Sequence, residues 1–338
     1  MLRLTGILVT VLFAIAAAIL TWPSFFRLER TFPIAQVVSF RPLMALAFAA
    51  GVIVALLLAV ARPLRAMALS IAAVCAIAAV ATGVTVVQRG AGSEALPTKG
   101  EQSVRVMTWN TAGGAATSPD TIAKTAVAMA ADVVALPETT IETGEAVAIA
   151  MREMGHPMWA HHTERGLWDA DSTTLLISPA MGDYAVIESS RDGTSNTSVV
   201  PSAVAMPVDG SGPIIVAAHA VAPRQSAMQA WRDDLQWLAD QCAADDVIMA
   251  GDFNATLDHM LRLGVDGGHL GRCRDAAALT GSGVAGTWPA QVPTLVGSPI
   301  DHVMATDAWE VSGSVVLTSM DDAGSDHRPL VVQLEPAD

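Results

Sequence analysis

Three long stretches without a charged residue dominate the first ninety residues of the sequence. They cover residues 4–26, 42–61 and 66–88 and are rich in Leu, Ile, Val and Ala. Each is long enough to cross a bilayer as a helix, which takes about 20 apolar residues. A cleavable signal peptide is the alternative for the first stretch, but its apolar part exceeds the usual ~7–15 residues and two further stretches follow. The sequence therefore predicts a membrane domain over residues 1–90 with three transmembrane helices, placed in the plasma membrane.

The orientation of these helices is less clearly encoded, because lysine and arginine in short loops set it and their counts nearly balance here. Arg27, Arg30 and Arg41 flank or occupy the first loop, and Arg62 and Arg65 bound the second. A tight hairpin held at the cytoplasmic face by the last two arginines would leave the large domain outside the cell. The charge counts alone leave both orientations open.

The composition changes after the third stretch. Residues 91–100 are small or turn-forming and read as a linker, and residues 101–338 read as a second domain with 31 acidic and 11 basic residues, a formal charge near −20. A protein that binds duplex nucleic acid usually presents a basic patch, because neutralising phosphates supplies most of its non-specific affinity. The charge of this domain argues against a nucleic-acid partner.

Five short motifs in the second domain place an acid, an amide or a histidine where an apolar run stops. In chain order they are Met107–Asn110, Ala135–Thr139, Ala250–Thr256, Pro299–Val303 and Gly324–Leu330. A single Asp-His pair such as Asp326-His327 is by itself more typical of a polar turn before a buried strand. Five such motifs at the ends of predicted strands indicate one shared site.

The periodicity of the second domain predicts many short strands interrupted by a few helices. Because strands and helices do not alternate regularly, the pattern favours a mixed α/β domain over a doubly wound parallel sheet. In the helix that includes Trp231, apolar residues recur at three- and four-residue steps, so Trp231 and Trp237 are interpreted as core residues.

In their order and spacing the five motifs resemble the endonuclease/exonuclease/phosphatase superfamily of divalent-metal phosphoesterases. The resemblance covers about Val104 to Leu334. It implies an α/β fold of the DNase I-like kind, a two-sheet sandwich flanked by helices, with the active site at one end. The N-terminal layout resembles membrane-anchored bacterial members, including a group associated with glycopeptide resistance, which implies an extracytoplasmic catalytic domain.

The resemblance also implies roles for individual residues. Asn110, Glu138 and Asp326 match the ligands of Mg²⁺ or Mn²⁺, and such an all-oxygen set suits a hard cation. Catalytic roles fall to five residues: Asp252 on the attacking water, Asn254 on a phosphoryl oxygen, His327 on the scissile phosphate, Asp301 on the His327 ring, and His219 near the leaving group. On the residues alone, Asn110 could equally be a turn residue and Glu138 a surface acid.

Some residues near the motifs are expected to stay outside the chemistry. His302 follows Asp301 in a predicted strand, so it should point to the opposite face and pack. Pro137 stands where many relatives carry glutamine, which puts the local hydrogen bonding in question. The only tyrosine, Tyr184, lies in no motif of the kind that abasic-site endonucleases use.

Cys242 and Cys273 are the two cysteines of the second domain. An extracytoplasmic domain predicts a disulfide between them, whereas a cytoplasmic one predicts free thiols.

The function predicted from these features is that of a membrane-anchored, metal-dependent phosphoesterase acting on a small or lipid-linked phosphate ester at the bilayer. The alternatives are an anchored nuclease with the same chemistry and a catalytically silent binding module that kept the fold.

Overall fold

The computed structural model describes residues 2–92, 95–112, 117–166, 168–188 and 196–337. The chain divides into two compact units, Met1–Arg89 and Gly90–Asp338.

The first unit is helical. Its helices are α1 (Leu2–Thr21), α2 (Ile34–Val38), α3 (Arg41–Leu58) and α4 (Arg65–Arg89). By length and composition, α1, α3 and α4 could cross a membrane, which confirms the prediction of three apolar helices. The first ends five residues earlier than predicted because Pro23 follows, and the residue before a proline is disfavoured in a helix.

The side chain of Arg41 joins two of these helices. It is 4% exposed, and its Nη1 donates to the carbonyls of Leu20 and Thr21 at 3.1 Å each. The last carbonyls of a helix have no partner within the helix, so this arginine satisfies the end of α1.

The second unit contains two six-stranded sheets. The first sheet runs β13 (Trp309–Val316), β14 (Leu330–Pro336), β1 (Val104–Thr108), β2 (Val133–Pro137), β4 (Ser172–Ile177) and β3 (Trp159–Glu164). The second runs β11 (Arg274–Asp275), β12 (Asp301–Ala305), β8 (Val247–Asp252), β7 (Ile214–His219), β6 (Ala203–Pro207) and β5 (Tyr184–Glu188). A separate short pair consists of β9 (Leu263–Gly264) and β10 (Leu270–Gly271).

The helices of this unit are α5 (Pro119–Ala128), α6 (Ile141–Glu153), α7 (Met228–Gln241), α8 (Leu257–Met260) and α9 (Ala276–Leu279). Two mixed sheets flanked by helices confirm the predicted fold class.

Alternation along the strands builds two apolar layers. In β1, Val104 and Val106 face the core shared with the second sheet, where they meet Ile215 and Ile248. Met107 faces the other way, into the layer formed with α5 and α6. Successive strand residues point to opposite faces, so this period of two divides one strand between both layers. Trp231 and Trp237 are buried, as predicted.

Strand pairing gathers the ends of six strands at one edge. β1 and β2 are parallel, with Thr108 opposite Ala135, and the antiparallel β14 starts there, with Leu330 opposite Thr108. In the second sheet, His219 and Asp301 both lie opposite Asp252. Residues just beyond these positions therefore meet, although up to about two hundred residues separate them in the sequence.

Two parts of the sequence differ from expectation. β3 had no clear alternation, since Trp159-Ala160-His161-His162-Thr163-Glu164 mixes apolar and polar residues, and it was not predicted. The apolar residues from Val199 onward would suit a strand, but β6 begins only at Ala203. Pro201 cannot donate to a ladder, and Thr197 Oγ1 instead donates to the carbonyl of Val200 at 2.6 Å, which closes a turn.

The predicted linker packs on the second unit where it is described; residues 93 and 94 lie outside the described residues. The amide of Gly92 donates to the carbonyl of Gly281 at 2.9 Å, and Lys99 Nζ donates to Asp132 Oδ1 at 2.6 Å.

Cys242 and Cys273 form a disulfide with a Cα–Cα distance of 5.6 Å. The bridge joins the residue after α7 to the residue before β11. The predicted disulfide is thereby confirmed.

Candidate active site

Asn110 connects the two sheets at the shared edge. Its Nδ2 donates to Glu138 Oε1 at 3.0 Å and to Asp252 Oδ2 at 3.1 Å. The residue is 1% exposed, and its bond to Asp252 is fully buried. One side-chain amide therefore binds a carboxylate from each sheet. An ordinary turn residue, the alternative that the sequence allowed for Asn110, would not make these two contacts.

Glu138 adopts a left-handed backbone conformation, with φ 55°. Non-glycine residues rarely do so, and such strain concentrates at functional sites. Its side chain stays 24% exposed, and Oε1 lies 3.7 Å from His219 Nε2. This turn directs the Glu138 carboxylate toward Asn110 and His219. An ordinary surface acid would not need such a backbone conformation.

Asp326 has one satisfied and one unsatisfied oxygen. Oδ2 accepts a hydrogen bond from Trp288 Nε1 at 2.9 Å. Oδ1 is buried and has no hydrogen-bond partner among the described residues. A buried carboxylate oxygen without a partner is costly. Together with Glu138 it offers oxygen donors of the kind that hard divalent cations take, so these residues fit such an ion.

His327 lies between three carboxylates. Its Nδ1 is 2.9 Å from Asp301 Oδ2, and its Nε2 is 3.9 Å from both Asp252 Oδ2 and Asp326 Oδ1. Burial alone would lower the pKa of His327, but the charges of Asp301 and Asp252 outweigh burial and raise it to about 10. The ring is therefore an imidazolium at neutral pH, with its Nδ1 proton directed at Asp301.

One ligand atom each from Asp252, Asp301 and His327 lies within 4.8 Å of the others, a grouping that could hold a metal ion. The hydrogen bond between His327 and Asp301 gives a different explanation. His327 Nδ1 and Asp301 Oδ2 are already bonded to each other at 2.9 Å, so we regard this trio as a hydrogen-bonded cluster and the Glu138–Asp326 side as the better cation site.

Asp252 is the last residue of β8 and is 1% exposed. Burial raises the pKa of its carboxyl to about 7, helped by the charge of Asp301 and opposed by that of His327. A carboxylate of this basicity accepts a proton near neutral pH more readily than an ordinary aspartate does.

The residues on either side of Asp252 fix its direction. Gly251 has φ 158°, and a Cβ there would lie 1.9 Å from the carbonyl oxygen of Ala218, so β7 leaves room only for glycine. Asn254 is left-handed, with φ 46°, and its amide donates to Asp252 Oδ1 at 2.8 Å. Its Nδ2 donates to the carbonyl of Ala220 at 2.9 Å and faces Asp252 Oδ2 at 3.3 Å.

His219 at the end of β7 is 2% exposed. Burial and the positive charge of His327 lower its pKa to about 3. Its Nδ1 is buried without a hydrogen-bond partner among the described residues. The site therefore contains one charged and one neutral imidazole at neutral pH.

The structure thus links all eight predicted residues through contacts of 3.9 Å or less. Such a set can align a water, neutralise charge on a phosphoryl group and protonate a departing oxygen. Their individual roles stay predictions.

Two positioning residues, Ser325 and Trp109, carried no sequence signal of their own. Ser325 Oγ donates to the carbonyl of Asn110 at 2.6 Å and accepts from the amide of His327 at 2.9 Å. Trp109 Nε1 donates to the carbonyl of His327 at 2.9 Å. Together they fasten the Asp326-His327 loop to the end of β1.

Arg328 fixes the loop that carries Trp288. It is 1% exposed, binds both oxygens of Asp321 at 2.6 and 2.9 Å, and donates to the carbonyls of Gly286 at 3.1 Å and Ala290 at 2.6 Å. The planar guanidinium with its five donors suits such multiple contacts. An Arg-Pro step directly after Asp-His was the one hint available in the sequence.

His302 points away from the site, as predicted. Its Nδ1 is 2.6 Å from Asp275 Oδ2 and its Nε2 is 2.8 Å from the carbonyl of Ala255, the residue after Asn254. The buried pair therefore supports the turn that follows Asp252 from behind.

Residues 107–327 match the model of the Endonuclease/Exonuclease/phosphatase family. No functionally curated protein matches the chain in sequence at a significant level.

Several solved structures are similar in fold. The endonuclease/exonuclease/phosphatase from Beutenbergia cavernae is 19% identical with a TM-score of 0.52, and the match covers 70% of this chain and 72% of that one. A family member from Bacteroides vulgatus is 16% identical with a TM-score of 0.50, covering 70% of this chain and 100% of that one. D. rerio TDP2, complexed with a single-strand DNA product, is 14% identical with a TM-score of 0.52, covering 70% and 100%. At these identities the likeness concerns the fold alone.

Proposed function

The chain belongs to the endonuclease/exonuclease/phosphatase family, whose members are metal-dependent hydrolases of phosphate esters, and on that premise we propose that it is a membrane-anchored phosphoesterase acting on a small or lipid-linked phosphate ester. The observation that carries the proposal is the convergence of Asp252, His327 and Glu138 at one edge of the sandwich.

The family uses divalent metals, and we assign the ion as Mg²⁺ or Mn²⁺. Glu138 and Asp326 would hold it, with the side-chain oxygen of Asn110 as a third donor. When bound, the ion supplies charge neutralisation at the phosphoryl oxygens.

The chain's own residues supply the remaining chemistry. Asp252 accepts a proton from the attacking water, for which its raised pKa suits it. The His327 imidazolium, oriented by Asp301, donates to a phosphoryl oxygen, and Asn254 borders the same space. Because these donors are fixed before the substrate arrives, they cost little reorganisation during the reaction. The neutral His219 borders Glu138 and is assigned to the leaving-group side.

Charge and tethering support a lipid-borne substrate. The catalytic unit has a formal charge near −20 from residue 101 onward, which disfavours a long polyanion. Three apolar helices support an anchor in the plasma membrane. The disulfide between Cys242 and Cys273 favours an extracytoplasmic catalytic unit, since such bridges persist in oxidising compartments.

A nuclease is the second candidate. The fold is shared with D. rerio TDP2, which was solved with a single-strand DNA product, and phosphodiester hydrolysis would use the same groups. A silent binding module would have no use for a buried Asp252 of raised pKa next to an oriented His327.

The test is turnover by the purified full-length protein in detergent with Mg²⁺ or Mn²⁺. The substrates are a polyprenyl diphosphate, a soluble phosphodiester, an inositol phosphate and plasmid DNA, and the Asp252→Ala variant serves as the blank. We expect catalytic efficiency on the lipid-linked or small ester to exceed that on DNA by at least about tenfold. Efficient nicking of DNA without release of phosphate from the esters would make the nuclease assignment correct, and no turnover of any substrate would favour the binding module.

A further inference from the structure

Two loops of the catalytic unit adjoin the edge that holds the candidate site. The first, residues 165–171, connects β3 to β4. In this hairpin Glu164 lies opposite Ser172, and Thr173 lies opposite Pro137, the residue before Glu138. The second, residues 196–202, precedes β6. There Ser202 Oγ accepts from the amide of His219 at 2.9 Å.

The two loops are fastened to each other. Arg165 Nη1 donates to the carbonyl of Ser198, and Thr173 Oγ1 donates to the carbonyl of Pro201 at 2.7 Å. The first loop is also closed internally, because the amide of Asp171 donates to the carbonyl of Trp168 at 2.8 Å. The described residues of the two loops therefore form one surface beside the strand ends that lead to Glu138 and His219.

This surface presents large apolar side chains to the outside. Trp168 is 78% exposed, more than any other large hydrophobic residue described in the catalytic unit, and Val199 on the adjoining loop is 44% exposed. We call these two residues the apolar rim. An exposed indole beside a candidate site offers a large, rigid apolar area that a ligand bound there can contact.

We propose that the apolar rim binds the hydrocarbon chain of a lipid-linked phosphate ester while its phosphate lies in the adjoining site. The proposal rests on the proposed phosphoesterase function and specifies which part of the catalytic unit selects its substrate. An indole is well suited to this contact, because it offers a large rigid apolar area and is favoured where lipid meets water.

The charges around the rim favour a lipid over a nucleic acid. Bases also stack on tryptophan, but nucleic-acid sites pair such stacking with a basic groove for the backbone. Arg165 is the only basic residue in the two loops, and its guanidinium is bonded to Ser198. Two acidic residues, Asp169 and Asp171, follow Trp168 in the sequence. These two carboxylates would repel a phosphate backbone electrostatically, whereas an uncharged hydrocarbon chain experiences no such repulsion.

The chain provides a matched control in Trp159. It begins β3, at the end of the hairpin remote from Glu138, where it lies opposite Ile177. Its side chain is 56% exposed, so it resembles Trp168 in kind and in exposure but not in position. A general effect of losing a surface tryptophan would follow either substitution, and an effect on substrate binding would follow only one.

The experiment compares two substrates with one head group. The full-length protein in detergent micelles is assayed with isopentenyl diphosphate and with a long polyprenyl diphosphate. We expect Trp168→Ser to lower kcat/KM about tenfold on the long-chain substrate, chiefly through KM, and to leave the short-chain value within about twofold. Trp159→Ser should change neither. Equal losses on both substrates, or no loss on the long one, would overturn the proposal.

A second measurement does not depend on turnover. The full-length protein is irradiated with a polyprenyl phosphate that carries a photoreactive group on its chain, and the labelled peptides are identified by mass spectrometry. Labelling within residues 165–171 or 196–202, reduced by Trp168→Ser, supports the rim. Labelling confined to the N-terminal helices, or labelling of the two loops that Trp168→Ser leaves unchanged, refutes it. Absence of any hydrolysis by the wild type would count against the phosphoesterase while these labelling outcomes still decide the rim.

Discussion

The fold raises the pKa of both Asp252 and His327, which suits the first to accept a proton and the second to carry a positive charge during hydrolysis. Replacing either with alanine should lower kcat by about two to four orders of magnitude, as loss of a general base or of an oriented charge does. Steady-state kinetics on the best substrate measures the effect, and circular dichroism controls for folding. Wild-type turnover in either variant would contradict the assignment.

Glu138 should act through the metal. Glu138→Ala removes one of the two carboxylates assigned to the ion, so the Mg²⁺ concentration needed for half-maximal activity should rise by at least about tenfold. A titration of activity against Mg²⁺ measures this. An unchanged midpoint would place the ion elsewhere, with the Asp252, Asp301 and His327 cluster as the next candidate.

Trp288 should influence the same titration indirectly. Trp288→Phe removes the indole donor that fixes Asp326 Oδ2, and loss of such an orienting bond typically weakens metal affinity about 10–100-fold. Trp231→Phe is the control, because the Trp231 indole nitrogen is buried without a hydrogen-bond partner among the described residues. A similar shift in both variants would indicate a packing effect.

At the scale of elements, the buried pair of Asp275 and His302 ties β11 to β12 and supports the turn after β8. Burial alone would lower the pKa of His302, but the charge of Asp275 and their hydrogen bond raise it, aided by Asp301. Burial alone would raise the pKa of Asp275, and His302 with the Ala278 amide lowers it. His302 thus stabilises the fold fully below its unfolded pKa of 6.5, and this contribution is lost as pH rises through the folded pKa. Asp275 contributes its stabilisation fully above its unfolded pKa of 3.8, and this stabilisation is lost as pH falls through the lowered folded pKa.

His302→Gln should therefore destabilise the protein most near pH 5–6, by about 3 kcal/mol, which lowers the thermal midpoint by about 6–12 °C. The difference from wild type should shrink toward pH 9. Thermal unfolding of the full chain in detergent over this pH range measures it, with the exposed His156→Gln as control. A difference that grows with pH would contradict the ion-pair interpretation.

The disulfide joins the end of α7 to the start of β11 across 31 residues. Closing a loop of that length stabilises the fold by about 4 kcal/mol in the chain-entropy account. Reductant should lower the thermal midpoint of the wild type and leave the Cys242→Ser/Cys273→Ser variant unaffected. Two free thiols in non-reducing mass spectrometry of the native protein would contradict the bridge.

At the scale of the whole molecule, the orientation in the membrane is the main prediction. Gly92→Cys places a thiol at an exposed position near the start of the catalytic unit, and Leu64→Cys places one in the hairpin between α3 and α4. With the catalytic unit outside, an impermeant thiol reagent should label the first in intact cells and the second only after lysis. The reverse pattern would place the catalytic unit in the cytoplasm.

The sequence determined the features that depend on local order. Charge-free stretches of bilayer length predicted α1, α3 and α4, since a helix that spans lipid must be apolar along its whole length. Alternation with period two predicted most strands, and it placed Asp301 and His302 on opposite faces. The order of five short motifs was enough to indicate the family and the eight candidate residues. Alternation did not indicate β3, where the pattern is weak. It was also misleading from Val199 to Ser202, where a side-chain hydrogen bond closes a turn.

The tertiary structure decided which atoms meet. The bond from Asn110 to Asp252, the unpartnered oxygen of Asp326 and the bonds that Trp288 and Ser325 make depend on contacts across up to 215 residues. No local pattern encodes such contacts, because they follow from the pairing of strands and the folding of loops around them. The same holds for the pKa values of Asp252, His219 and His327, which arise from burial and from charges that the sandwich alone brings together.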